Sequence, residues 1–226
     1  SSYSTLIYSL GKMYITDGNM ESKTSSIVVI NNEGILEQNG GSINAGNGST
    51  GINNKGEYTL KSGKVEAGYD SYCINNYEKI TIEGGSIIHT SSYGAAIKNY
   101  KEIFVNGGEI NSSSSGILNY SSGNIIGKIK MTDGKIIARS DGISNYNNSE
   151  IEISNGSVNA YRGINNYSNG KVKILGGTIT ADSSYGIYTR SNGSIEIIGG
   201  KIISERCAAI CNESSNVKII GGEIET

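Results

Sequence analysis

The residues able to do chemistry are few and scattered. There are five aspartates, at 17, 70, 133, 141 and 182, and a single histidine, His89. Asp17 and Asp133 each stand directly before a glycine, the pairing of a turn former. Asp70, Asp141 and Asp182 fall in loop stretches of three different repeat units. No two of them coincide to make the carboxylate pair that glycoside hydrolysis uses. His89 has no acid or nucleophile at a working spacing and reads as a structural residue. Cys207 and Cys211 are four apart, Cys73 is remote, and without a nearby histidine they form no tetrahedral metal set. They read as small, half-buried side chains. A calcium-binding repeat needs Gly-Gly-x-Gly-x-Asp, whereas here the glycine pair runs on to x-Ile, as in Gly84-Gly85-Ser86-Ile87. The expectation is therefore a protein without catalytic residues, metal or cofactor. Asp141 and Arg162 share one position in neighbouring units and are predicted to pair.

What the chain does offer is rows. Tyr77, Tyr100, Tyr120, Tyr146 and Tyr167 each follow an asparagine at a fixed place in the repeat. Tyrosine supplies contact area and a hydroxyl at low entropic cost. Two readings stay open: a cross-strand aromatic stack that stabilises the fold, and a platform for a polysaccharide or peptide. Glu33 and Lys55 hold the same place before this file, and Arg190 and Glu213 after it. Tyr72, Tyr93 and Tyr185, nearby in the repeat, would widen an aromatic surface. A second row reads Lys130, Glu152, Lys173, Glu196, Lys218. Its alternating charge reads as register-fixing and solubility chemistry.

These rows exist because the chain repeats. A small turn recurs as Asp17-Gly18, Gly40-Gly41, Ser62-Gly63, Gly84-Gly85, Gly107-Gly108, Asp133-Gly134, Asn155-Gly156, Gly176-Gly177, Gly199-Gly200 and Gly221-Gly222. The mean spacing is roughly 22.7 residues, too long for a hexapeptide helix, and the repeating apolar residue is isoleucine rather than leucine. Three short strands are predicted per coil. The first alternates before the turn, as in Ile80-Thr81-Ile82 and Ile195-Glu196-Ile197, so both apolar residues share one face. The second carries Ile43, Val65, Ile87, Ile110, Ile136, Val158, Ile179, Ile202 and Ile224. The third begins with a small residue and an isoleucine, as in Gly51-Ile52, Cys73-Ile74, Gly142-Ile143 and Ala209-Ile210. Two residues later stand Asn32, Asn54, Asn76, Asn99, Asn119, Asn145, Asn166 and Asn212, with Thr189 the exception. A side-chain amide donates and accepts, so these asparagines are expected to stack as an inward-pointing ladder at a corner. The fold class expected is all-β: a right-handed, single-stranded parallel β-helix (β-solenoid) of about ten coils of roughly 22–23 residues. Residues 1–226 read as one such domain. The opening Ile7-Tyr8-Ser9 falls at a third-strand position and the chain stops just past a second strand, which suggests a segment of a longer protein with flanking domains.

Composition agrees. The 226 residues include 32 glycines, no proline and no tryptophan, with a net charge of −2. Clustered lysine and arginine, the footprint of a nucleic-acid binder, is missing. No apolar run is long enough to span a membrane, and Ser1-Ser2-Tyr3-Ser4 is not a secretory leader.

The repeat I-x-I-x-G-G-x-I … G-I-x-N, clearest over residues 171–202, resembles the surface-protein branch of the pectate-lyase-like β-helix superfamily. It is similar to solenoids of bacterial adhesins and to β-helical carbohydrate-binding-like domains of clostridial surface proteins. That resemblance implies an extracellular or cell-surface, bacterial (Gram-positive) setting. It implies a rigid stalk or adhesive face, with a polysaccharide or cell-surface glycan as partner. Alternatives are a carbohydrate-binding module using the tyrosine file and, further off, a polysaccharide lyase or hydrolase. Such relatives carry an acidic pair before Gly-Ile that could hold calcium. Here only Asp141 keeps an acid directly before it, while Ser183-Ser184-Tyr185 replaces the pair elsewhere. With no carboxylate at a repeating ligand position, treatment with a chelator should leave the melting temperature unchanged; a large drop would show that the aspartates had been misread.

Overall fold

A computed structural model describes residues 4–213 and 216–226. Every regular element among them is a strand, and no helix is long and apolar enough to cross a membrane. The Ile-x-Ile alternation turns one face of each strand inward. Each strand then pairs in parallel with the equivalent strand one coil on, so like faces like. In the first sheet Ile80, Ile103, Ile129, Ile151, Val172, Ile195 and Val217 are in register. In the second, the row runs from Ile43 through Val65, Ile87 and Ile110 to Ile202 and Ile224. In the third, it runs from Ile7 and Ile30 through Ile97 and Ile164 to Ile210. The outcome is a parallel β-solenoid of about ten turns. Its core is the stack of these side chains; Ile82, Ile153, Ile174 and Ile197 are all buried.

Three short strands per coil is too simple a description in places. Strands Ile35–Ala45, Glu57–Ala67 and Glu102–Ser112 run through the glycine turn, and Lys128–Asn145 continues around all three sides. The turn bends the chain without breaking its bonds to neighbouring coils, and register shifts mark the bend at Gln38/Asn39 and Asn39/Ser42. The core also holds a polar pair that the apolar pattern does not foretell. Tyr58 donates its hydroxyl to Gln38 Oε1 at 2.8 Å, both fully enclosed, and Gln38 Nε2 in turn reaches the Lys64 carbonyl at 3.3 Å.

In all ten turns the second residue is a glycine with φ between 66° and 96°. A side chain there suffers twice: left-handed backbone costs an L-residue about 1–2 kcal/mol, and the neighbouring coil fills the space. At Gly156 a Cβ would lie 2.6 Å from Met131 Cε and 2.7 Å from the Gly134 carbonyl oxygen. Gly156→Ala should therefore lower stability by more than about 1–2 kcal/mol in urea unfolding. Gly18→Ala, at φ 96° but with open space around it, should show the backbone part alone.

Candidate functional site

The asparagine row closes the corner between the third and first strands. Asn32 Nδ2 donates to Asn54 Oδ1 at 2.8 Å, and the same bond repeats coil by coil to Asn166, with lengths of 2.7–2.8 Å. Each amide also donates to backbone; Asn54 Nδ2 reaches the Gly56 and Lys79 carbonyls, both at 2.9 Å. Asn166 passes its bond to Thr189 Oγ1 at 3.1 Å, so threonine continues the row. These seven asparagines are fully buried. Asn212 keeps the register opposite Thr189 but is exposed; among the described residues no third strand of a following coil pairs with it.

The tyrosine file stands immediately outside this ladder. Each tyrosine N–H donates to the asparagine carbonyl of the preceding coil, from Tyr77 to Asn54 at 2.8 Å through Tyr167 to Asn145 at 2.7 Å. Ring placement is therefore set by backbone that the ladder already holds. Successive ring centroids lie 5.1, 5.6, 4.6 and 4.7 Å apart from Tyr77 to Tyr167, with interplanar angles of 7°, 25°, 6° and 4°. The strip is about 20 Å long, as the coil spacing implies. The rings cover one another's faces, as in the cross-strand stack that is one of the two readings, and the file presents its edges and hydroxyls outward. Burial pushes the Tyr120 hydroxyl up to about 12, with neighbouring tyrosines adding to it, and burial likewise raises Tyr77 and Tyr146. These phenols keep their protons at neutral pH and can donate.

Cations attend the file. Lys98 Nζ lies 5.4 Å from the Tyr72 and Tyr100 ring centres and 5.7 Å from that of Tyr120, and the Arg190 guanidinium sits 4.4 Å over Tyr167. Such contacts contribute about 0.5–2 kcal/mol. Lys98 escapes a reading that follows only the tyrosine positions, yet it occupies the x of Gly-Ile-x-Asn and so must point outward beside the file. Glu33 and Lys55, at the file's other end, pair at 2.9 Å. Tyr93 meets Tyr69 edge-on at 6.1 Å, and Tyr185 stacks on Tyr188 at 5.6 Å.

Asp141 and Arg162 do pair, Nε to Oδ1 at 2.8 Å. The carboxylate also accepts from Ser144 Oγ at 2.7 Å and Asn165 Nδ2 at 2.8 Å, so a buried charge is fully engaged. Ser144 and Asn165 were not singled out by the repeat, although both lie at its outward x position. Asp17 Oδ1 accepts from the Gly18 N–H at 2.7 Å, the work of a turn former. The buried Cys73 thiol, raised by burial, donates to the Ile88 carbonyl at 3.1 Å and is poorly placed to react. Among the described residues no three His, Cys, Asp or Glu side chains converge. No protein-family model, curated protein or solved structure matches the chain.

His89 is buried in the second-strand position that alanine fills at Ala67. A carbonyl can only accept, so Nε2 carries the proton donated to Ser71 O at 3.1 Å, and Nδ1 accepts from Ser112 Oγ at 3.1 Å. Burial, opposed by the Ser71 carbonyl, lowers its pKa below 6.5. The folded state therefore prefers neutral histidine: its contribution to stability is full above pH 6.5 and is lost as pH falls through the folded value. Between about pH 7 and about pH 5 the wild type should lose more in melting temperature than His89→Ala does; equal losses would show that His89 does not titrate there.

Proposed function

We propose that this chain is a non-catalytic solenoid of a bacterial cell-surface protein that holds an extended polymer along its third-strand side. One observation carries this reading: five tyrosines of consecutive coils are aligned into a continuous strip, partly open to solvent, on a flat side. A strip about 20 Å long without enclosing walls suits a polymer better than a small molecule. The resemblance of the repeat to adhesin solenoids and carbohydrate-binding-like β-helices supports a glycan as that polymer. Recognition runs through hydroxyls and ring edges, with Lys98 and Arg190 beside them.

A second reading has its own support. The same rings, closed face to face over the asparagine ladder, stiffen the rod, as a stalk needs. The two are separated by removing hydroxyls while keeping the stack. Replacing Tyr100, Tyr120 and Tyr146 together by phenylalanine should leave the circular dichroism spectrum and melting temperature close to wild type. Each lost hydrogen bond costs about 0.5–1.5 kcal/mol, so retention on a glycan array and on cells should fall at least about tenfold. Unchanged retention would leave the file a structural stack and the stalk reading in its place.

A further inference from the structure

The first-sheet face bears an alternating charge order that pairs stacked coils within the chain and leaves its lysines largely exposed to a second surface. Each strand there turns two residues outward. The first two coils carry Lys12 and Tyr14, then Ile35 and Glu37, the last adjoining the Glu57 coil with like sign. From there on, in chain order, these are Glu57 and Thr59, Lys79 and Thr81, Glu102 and Phe104, Lys128 and Lys130, Glu150 and Glu152, Lys171 and Lys173, Ser194 and Glu196, Asn216 and Lys218. All are in register. Over eight consecutive coils the sign therefore alternates without a break, negative first. Where a coil carries two charges, they are alike. Within the chain this binds neighbours, as in Lys130–Glu152 at 3.3 Å, Lys171–Glu150 at 3.1 Å and Lys218–Glu196 at 3.2 Å. The lysines keep much of their surface: the Lys130, Lys171 and Lys218 side chains are 52%, 66% and 69% exposed.

We propose that this face binds the same face of a second copy of the chain, with the two solenoids antiparallel. The argument is one of symmetry. Two copies laid face to face with axes parallel and coils level would set every stripe against its own sign. A two-fold axis lying along the strands, between the Lys128/Lys130 and Glu150/Glu152 coils, does the opposite. It sets Lys128 and Lys130 of one copy on Glu150 and Glu152 of the other, and Glu102 on Lys171. The Lys79 coil meets the Glu196 coil, and the Glu57 coil meets the Lys218 coil. All eight stripes then meet opposite charge, and the contact is isologous and closed.

A second observation marks the same centre. A shallow depression on this face is lined by the outward side chains of the coils from Glu102 to Lys173, over the strand positions of Ile103, Ile129 and Ile151, whose own side chains are buried in the core. It is centred where the axis falls. Phe104, the only phenylalanine in the chain, lies at its edge and would meet the Lys173 stem of the second copy. Eight coils by four residues is about 38 Å by 13 Å, or roughly 500 Å² per copy. That is the size of a weak, transient interface, and one built on exposed charge is salt-sensitive.

The test is sedimentation over a concentration series into the high-micromolar range. The wild type should dimerise at low salt and dissociate at about 1 M salt, where the screening length is about 3 Å. K128E/K130E alone and E150K/E152K alone should each be monomeric, since each sets like stripes together. An equimolar mixture of the two should dimerise again, because both central contacts are then opposite in sign. Circular dichroism establishes that each variant is folded; should a double variant fail to fold, K130E and E152K serve for the same mixing test. A wild type that stays monomeric at low salt, single-type variants that still dimerise, or a mixture that stays monomeric would each overturn the proposal.

Discussion

The structure depends on one hydrogen bond repeated: an asparagine amide donating to the next asparagine's oxygen, coil after coil. The amide suits this place because it has two donors and an acceptor. One face of the group passes the chain of bonds along, and the remaining capacity ties down carbonyls of the bend and of the next strand. A buried bend is where backbone groups would otherwise be left without partners, at a cost of about 1–3 kcal/mol each. The isoleucine rows provide the hydrophobic burial, but their packing alone is slippery along a uniform stack. The ladder is directional and fixes which residue lies above which.

That is why so much was legible in the sequence. A glycine spaced from the next by one coil announces the bend, Ile-x-Ile announces the inward face, and Gly-Ile-x-Asn announces the corner. Once register is known, Asp141 and Arg162 must be neighbours, and they are. What the repeat leaves open is anything set by side-chain torsion. It places five tyrosines in a file, but whether their faces turn outward or against one another depends on χ angles and on cations such as Lys98. Gln38 and Tyr58 escaped for a related reason. Each occupies an inward position of an apolar row, and only their mutual contact, two coils' side chains reaching one another, makes burial tolerable. The fused strands, too, lie beyond a pattern reading, since a bend that keeps its inter-coil bonds has the same composition as one that breaks them.

The three faces divide labour by what they do with uniform neighbours. Stacked coils place identical positions next to each other, so a charged row repels itself unless signs alternate, and the first sheet alternates. An aromatic row attracts itself, and on the third side it does so. A buried carboxylate on that same side is acceptable only because Arg162, Ser144 and Asn165 surround it. Side-chain chemistry on such a scaffold is accordingly laid out in rows.

The coil between Gly108 and Gly134 carries extra chain at Ser121–Gly127, where Ser122 and Ile125 bridge to each other and Ile125 is exposed. Nothing on either side is displaced by it: Asn119 still donates to Asn145 Oδ1 at 2.8 Å, and the strands before and after stay in register. The excursion leaves and re-enters at the corner, where Gly127 N–H donates to Ser121 Oγ at 3.2 Å. Chain length is thereby uncoupled from the pitch of the rod. The corner beyond the tyrosine file is a splice point, at which peptide of a designer's choosing enters a single coil while the rows above and below keep time.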